Sequence, residues 1–386
     1  MGKIVDPALR ANYAIGEWMI DYQEGNELHF VVSDTTGADD DAVVQGIINW
    51  LIDNDDYWPP DGEEAFYAED QTYIPLEPAA WRHSSLWSRF RDEIMHRQRF
   101  FNGDAQGLLR DIFDGVQFQS DIRSKPAFYR LNPKDGRKLY RARVIRTDRD
   151  YEQIKQNPAT GMGAPPAGLR RAGRMNAAGI AVFYGATDLD TAIAELRPAV
   201  GSTVCVCTFE LRRPIYVLDL TRFTKPGKKI DILARNQVRR STQWAFMQSF
   251  ANEISKPILP GDEHLEYVPA QVVAEFLTTH PMKWGAGQVT SDAIIFNSAQ
   301  SSGGRNIAIM GDAAGAIVVG ADAPATSDHD ALDGEFDLME FATSARPPPN
   351  PGLEVRTGSL TRFTIESAAF GRGEPFPAAQ DPGDHF

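Results

Sequence analysis

A chain of 386 residues, 42% hydrophobic and 24% charged, is ordinary for a globular protein and long enough for two domains. Its formal net charge of -14 argues against a general nucleic-acid or anionic-membrane surface, since both require a basic face. Two cysteines, Cys205 and Cys207, cannot make a disulfide framework.

The first residues carry no charged-then-apolar leader, and no run approaches the ~18 apolar residues of a membrane span, so the chain reads as cytoplasmic. Leu28 to Val32 is β-like. Behind the acidic residues Asp39 to Asp41, the positions Val43, Val44, Ile47, Ile48 and Leu51 form an apolar stripe at helical spacing. A loop rich in acids and aromatics follows from Asp53 to Pro78, broken by Pro59-Pro60. Trp87, Phe90 and Ile94 mark a second helical face, and Leu108, Leu109, Ile112, Phe113 and Val116 a third. Nothing here has catalytic spacing, and His83 and His96 read as structural or exposed. Residues 1–125 are therefore expected to form a mainly helical accessory domain.

The character changes at Phe128. Lys138 to Val144 alternates as a strand does, with Tyr140 and Ala142 on one face and Arg141 and Arg143 on the other. Two arginines on one strand face are either a solvated edge or a ligand contact. Asn157 to Leu169 is a Gly/Pro loop; it contains Gly161-Met162-Gly163 but no further glycine in dinucleotide register, which excludes a Rossmann fingerprint. Gly173-Arg174-Met175-Asn176 reads as a turn that fixes an arginine, and Ile180 to Tyr184 as a buried strand. Asp188 is an N-cap for a helix through Thr191 and Ala194, with Glu195 at its end. Such a glutamate is either plain surface or a group set beside a ligand.

Val204 to Leu211 and Ile215 to Leu218 read as strands, the first with both cysteines buried on one side. Ile230 to Ile254 is a helix with Trp244, Met247 and Phe250 inward and Arg235, Arg239 and Arg240 outward. Tyr267 to Leu277 is another, with Pro269 near its start. Asp292 to Phe296 is a strand that delivers Asn297 and Ser298, and after a Ser/Gly loop comes the strand Ile307 to Met310. The pattern then weakens from Gly311 to Asn350, recovers in a strand from Leu360 to Ile365, and ends in a Gly/Pro tail, 371–386, expected to be disordered.

Tyr140-Arg141-Ala142-Arg143, the run Arg171-Ala172-Gly173-Arg174-Met175-Asn176 with Gly179, Tyr184, Ala192 with Glu195, Tyr267 with Pro269, Gln271 and Glu275, and Ser298 with Gly303-Gly304 and Asn306 resemble the RES-domain family in content and order. The resemblance covers about residues 136–312 and continues more weakly to 370, so the expected catalytic unit is 126–370. It implies an α+β fold similar to ADP-ribosyltransferase toxins, with a split β core around an NAD cleft and helices outside. It also implies an enzyme that breaks NAD down as substrate, typically the toxin of a toxin–antitoxin pair; some members transfer ADP-ribose to a protein instead. By position, Arg141, Glu195 and Ser298 match the family's arginine, glutamate and serine, and Arg174 and Tyr184 further cleft positions. Ala299 stands where a second serine is common, which leaves Ser301 and Ser302 as alternatives, and the N-terminal extension exceeds the compact toxins.

The chemistry suits these residue types. Breaking the nicotinamide–ribose bond passes through an oxocarbenium-like state, which a carboxylate such as Glu195 stabilises. Arginine forks, Arg141 and Arg174, suit a pyrophosphate; Tyr184 suits stacking on nicotinamide; Ser298 suits a hydrogen bond to ribose. The leaving group is already cationic, so neither a strong general acid nor a metal is expected. Three outcomes stay open: NAD consumption by water or phosphate, ADP-ribose transfer to a protein or nucleotide, and a decayed, non-catalytic NAD-binding module. The joint presence of arginine, tyrosine, glutamate and serine speaks against decay. An NAD-consuming enzyme needs restraint, so an antitoxin, immunity or regulatory protein is an expected partner, with no nucleic acid or membrane. The aromatic loop from Tyr57 to Tyr73 is its candidate docking surface, unless the N-terminal region only buttresses the core.

Overall fold

The computed structural model describes residues 1–57, 64–76, 81–234, 236–257, 263–320 and 350–367. Pro59-Pro60, Arg235 and the tail 371–386 lie outside the described residues. The chain begins with α1 (Gly2–Asn12), β1 (Tyr13–Ile15), β2 (Asn26–Glu27), α2 (Leu28–Thr36), α3 (Asp41–Asp53) and β3 (Thr72–Pro75). The strands form a small sheet in the order β1-β3-β2. The apolar stripe behind the acidic residues is α3, and the Asp40 side chain accepts from the Ala42 and Val43 amides, a cap worth about 1 kcal/mol.

Leu28 to Val32 is not a strand but the opening of α2. Its buried residues, Leu28, Val31 and Val32, fall at helical i, i+3, i+4 spacing, and packing of that stripe overrides the β preference of valine. The expected loop from Asp53 to Pro78 contains β3, and its Tyr67 and Tyr73 are buried against Val5, Leu9 and Leu51. Those two rings are core and are not available for docking.

The chain continues through α4 (Trp81–Asp92), α5 (Gly103–Phe113), β4 (Phe128–Leu131), β5 (Lys138–Ile145), α6 (Asp148–Gln156) and α7 (Pro158–Met162). Helix α7 lies inside the expected Gly/Pro loop: the Asn157 side chain caps it, Pro158 presets its first turn, and Met162 is buried. Next come β6 (Val182–Ala186), α8 (Leu189–Ala194), β7 (Thr203–Leu211), β8 (Ile215–Asp219), α9 (Gln237–Ser255), α10 (Glu263–Glu266) and α11 (Val268–Thr279). The last strands are β9 (Met282–Trp284), β10 (Gly287–Val289), β11 (Ala293–Asn297), β12 (Arg305–Met310), β13 (Ala316–Val319) and β14 (Leu353–Thr364). Ile180 precedes β6 and is exposed, and β14 begins seven residues before the expected Leu360.

Nine strands form one mixed sheet in the order β13-β14-β7-β5-β6-β12-β11-β8-β4, so the protein is α+β. Strand β5 pairs with β7 from Lys138 to Ile145, yet meets β6 at a single pair, Tyr140↔Ala186. Beyond that pair β5 and β6 part, and the sheet opens. One face is covered by α4, α5, α9 and α11, whose Phe90, Ile112, Phe250 and Leu277 pack with Ile294, Phe296 and Ala308. Helices α4 and α5 thus share the core of the sheet. The other face buries Phe183, Cys205, Cys207, Phe209 and Ile307 under Ile154 and Met162. Each ring so buried contributes about 2–3 kcal/mol. Among the described residues no helix is long and apolar enough to cross a membrane.

Candidate active site

Helix α8 is short and positioned by its cap. Asp188 accepts the Thr191 amide at 2.8 Å through one oxygen and the Thr191 hydroxyl at 2.8 Å through the other. One turn later Glu195 ends the helix, its amide donating to Thr191 O at 3.1 Å. Facing it is the loop from Ser298 to Gly304 that joins β11 to β12, closed by Ser298 N donating to Gly304 O at 2.9 Å. A Cβ on Gly304 would lie 2.3 Å from Thr191 Oγ1, so only glycine allows α8 to approach this loop so closely.

That approach brings three side chains together. Glu195 Oε1 accepts from Ser298 Oγ at 2.6 Å and from Asn306 Nδ2 at 2.7 Å. Ser298 Oγ in turn accepts the Gln300 and Ser301 amides, both at 3.0 Å. Of the serines at 298, 301 and 302, Ser298 is the one bonded to Glu195. Glu195 itself is exposed. Asn306 belongs to the Gly-Gly-x-Asn spacing in the sequence, but nothing there says that its amide would meet a carboxylate 111 residues away.

The registers Tyr140↔Ala186 and Asn306↔Ala186 put Tyr140, Ala186 and Asn306 on one face, and Arg141 and Arg143 leave from the other. Arg141 reaches toward β6, its guanidinium 5.4 Å from the Phe183 ring centroid. Its Nη1 is buried without a hydrogen-bond partner. Burial, and then the neighbouring Arg143 charge, push the Arg141 guanidinium down to about 9, while Tyr184 acts in the opposite direction. Burial lowers Arg143 as well. An arginine does not shed its proton at neutral pH, so the downward direction and the unpartnered Nη1 both point to a buried charge that a bound anion would relieve. This is not the solvated strand edge that an isolated pair of arginines suggests.

Tyr184 and Arg174 meet at the Gly173–Asn176 turn. The Tyr184 hydroxyl donates to Asn176 Oδ1 at 2.9 Å and accepts the Met175 amide at 2.8 Å; burial raises its pKa. A Cβ on Gly173 would lie 2.8 Å from that hydroxyl. Gln271 on α11 locks the turn from outside, its Nε2 donating to Gly173 O at 2.8 Å. Arg174 leaves the turn for the end of α9, donating to Ile254 O and, at 2.7 Å, to Lys256 O. A cation at a helix C-terminus satisfies carbonyls that lack intrahelical partners. Beside it opens a pocket of about 290 Å³, with Trp87, Glu253 and Tyr267 in its wall; neither Glu195 nor Arg141 lines it. The structure thus joins Glu195 with Ser298 and holds Tyr184 to the arginine turn, while Arg141 stands beside Phe183 on the face opposite Asn306.

The family model described as the RES domain matches residues 138–328, a span that starts with β5 and includes Arg141, Arg174, Tyr184, Glu195, Ser298 and Asn306. No curated protein and no solved structure matches the chain.

Proposed function

The chain belongs to the RES-domain family, and on that premise we propose that it consumes NAD, cleaving the nicotinamide–ribose bond with water or phosphate as acceptor. The domain is consistent with an NAD-related enzyme or a toxin–antitoxin module. Two observations carry the finer reading together: Arg141 has a buried Nη1 without a hydrogen-bond partner, and Glu195 is exposed and anchored by Ser298 and Asn306. The opening takes the part of the NAD cleft in an ADP-ribosyltransferase-like split core.

In this scheme the pyrophosphate lies against Arg141, whose buried Nη1 gains the acceptor it lacks. The nicotinamide ribose lies by Glu195. As the C1′–N bond breaks, its electron pair leaves with nicotinamide, which becomes neutral, and positive charge develops on the ribose. Glu195 opposes that charge. Water or phosphate then bonds to C1′, and the proton it gives up passes to Glu195 or to solvent. Tyr184 and Asn176 keep the arginine turn in shape beside the bound nucleotide. Depletion of NAD harms the cell that makes the enzyme, which fits a bacterial toxin or effector restrained by an antitoxin, immunity or regulatory protein.

The test is product analysis. Labelled NAD is incubated with the full chain, with and without phosphate, and with a lysate as a source of protein acceptors. Nicotinamide with free ADP-ribose or its 1″-phosphate is expected. Label transferred to protein in place of these products would instead make it an ADP-ribosyltransferase, and intact NAD would overturn the reaction.

A further inference from the structure

Both donors on Glu195 meet the same oxygen. Oε1 accepts from Ser298 at 2.6 Å and from Asn306 at 2.7 Å, and no donor among the described residues is seated on Oε2. The amide of Asn306 must present nitrogen here, because the reverse orientation would set two acceptors against each other. Ser298 has no capacity to spare. A hydroxyl offers one proton and two lone pairs; the proton goes to Glu195, and the oxygen accepts the amides of Gln300 and Ser301. Asn306 stands in the sheet rather than in a loop, paired with Phe296 on one side and Ala186 on the other, and is 8% exposed. One arm of the clamp is therefore as rigid as the sheet itself.

We propose that Asn306 and Ser298 are positioning residues that fix Glu195 through Oε1, so that Oε2 alone meets the ribose and the serine does not touch it. This rests on the NAD-cleaving function proposed above. The terminal torsion of a glutamate is broad, and an untethered carboxylate on a short helix end would spread its charge over many positions. Two charge-assisted bonds to one oxygen remove that freedom before substrate arrives, which is how a fixed charge stabilises a developing cation without reorganising. Asn306 thus joins the arginine, glutamate and serine as a residue the reaction depends on, acting through Glu195.

The test uses the full chain and the variants Asn306→Ala, Asn306→Asp and Ser298→Ala, with kcat, KM for NAD, thermal midpoint and crystal structures measured for each. Loss of one hydrogen bond to a charged group predicts a fall in kcat of about 10- to 100-fold for Asn306→Ala and Ser298→Ala, with KM held within about twofold. Asn306→Asp is the sharper variant. It keeps the shape but sets a carboxylate against Glu195, so its kcat is expected to fall at least as far as that of Asn306→Ala, whereas a merely structural Asn306 would tolerate the isosteric change better. Parental kcat in Asn306→Asp, or a raised KM with parental kcat in Ser298→Ala, overturns the clamp. If the parent leaves NAD intact, the proposed reaction fails, and the clamp is judged on crystal structures alone. A Glu195 carboxylate displaced in Asn306→Ala supports it; one unmoved in both Asn306→Ala and Ser298→Ala overturns it.

Discussion

Replacing Arg141 by Met should stabilise the free protein and weaken its hold on NAD. The guanidinium, pushed down to about 9 chiefly by burial, has a buried Nη1 with no partner. At about 1.4 kcal/mol per pH unit, and allowing for water that relaxes around a partly buried group, the uncompensated charge costs about 2–4 kcal/mol. Against this stands the contact with the Phe183 ring, worth about 0.5–1 kcal/mol. The first effect wins, and methionine fills much of the stem's volume. At about 2–4 °C per kcal/mol, the ligand-free midpoint should rise by several degrees. The assay is thermal unfolding with and without NAD, both proteins carrying Glu195→Gln so that NAD persists. An Arg141-containing protein saturated to about 100 times Kd gains about 2.7 kcal/mol, and Arg141→Met should lose most of that gain. A lowered free midpoint together with an undiminished NAD shift would refute both the buried-charge argument and the assignment of Arg141 to the phosphates.

Gly304→Ala drives a methyl to 2.3 Å from Thr191 Oγ1 and forces α8 away from the loop that holds Ser298. Overpacking of this kind costs about 1–3 kcal/mol; kcat for NAD should fall with it, and a parental kcat would mean that α8 need not approach the loop closely. His83 is buried, stacked on Phe246 at 6.0 Å, and lowered to about 4 by burial first and then by Arg82 and Arg239. Between pH 6.5 and 4 the unfolded chain binds a proton that the folded chain refuses, so stability should fall as pH falls through that window and change little on this account above it. His83→Leu should flatten that limb in denaturant titrations at successive pH values; an unchanged limb would show that His83 does not cause it.

What could be read directly from the chain was local. The Asp188 cap, the Gly173–Asn176 turn, the Pro269 start of α11 and the paired burial of Cys205 and Cys207 each depend on residues a few positions apart, and all appear in the structure. Glu195 and Ser298 were matched by family spacing, and the structure puts them in contact. Tertiary partnership was not legible. Arg174 is spent on carbonyls about 80 residues away, and the Tyr184 hydroxyl on the arginine turn. Asn306 was visible as a spacing but not as a donor, since its partner is chosen by how closely α8 approaches the loop before β12. At Leu28 to Val32 an aromatic residue and two adjacent valines masked a helical stripe whose burial decides the matter.

The most direct measurement is nicotinamide release by the parent and by Glu195→Gln at matched NAD occupancy. Glutamine keeps the size of the side chain and removes the charge that the proposed mechanism sets against the oxocarbenium. The parent should release nicotinamide steadily, and the variant roughly 100-fold or more slowly, the scale of losing one preorganised group, with NAD affinity nearly kept. A folded parent that leaves NAD intact, or a Glu195→Gln protein as fast as the parent, contradicts NAD cleavage at Glu195.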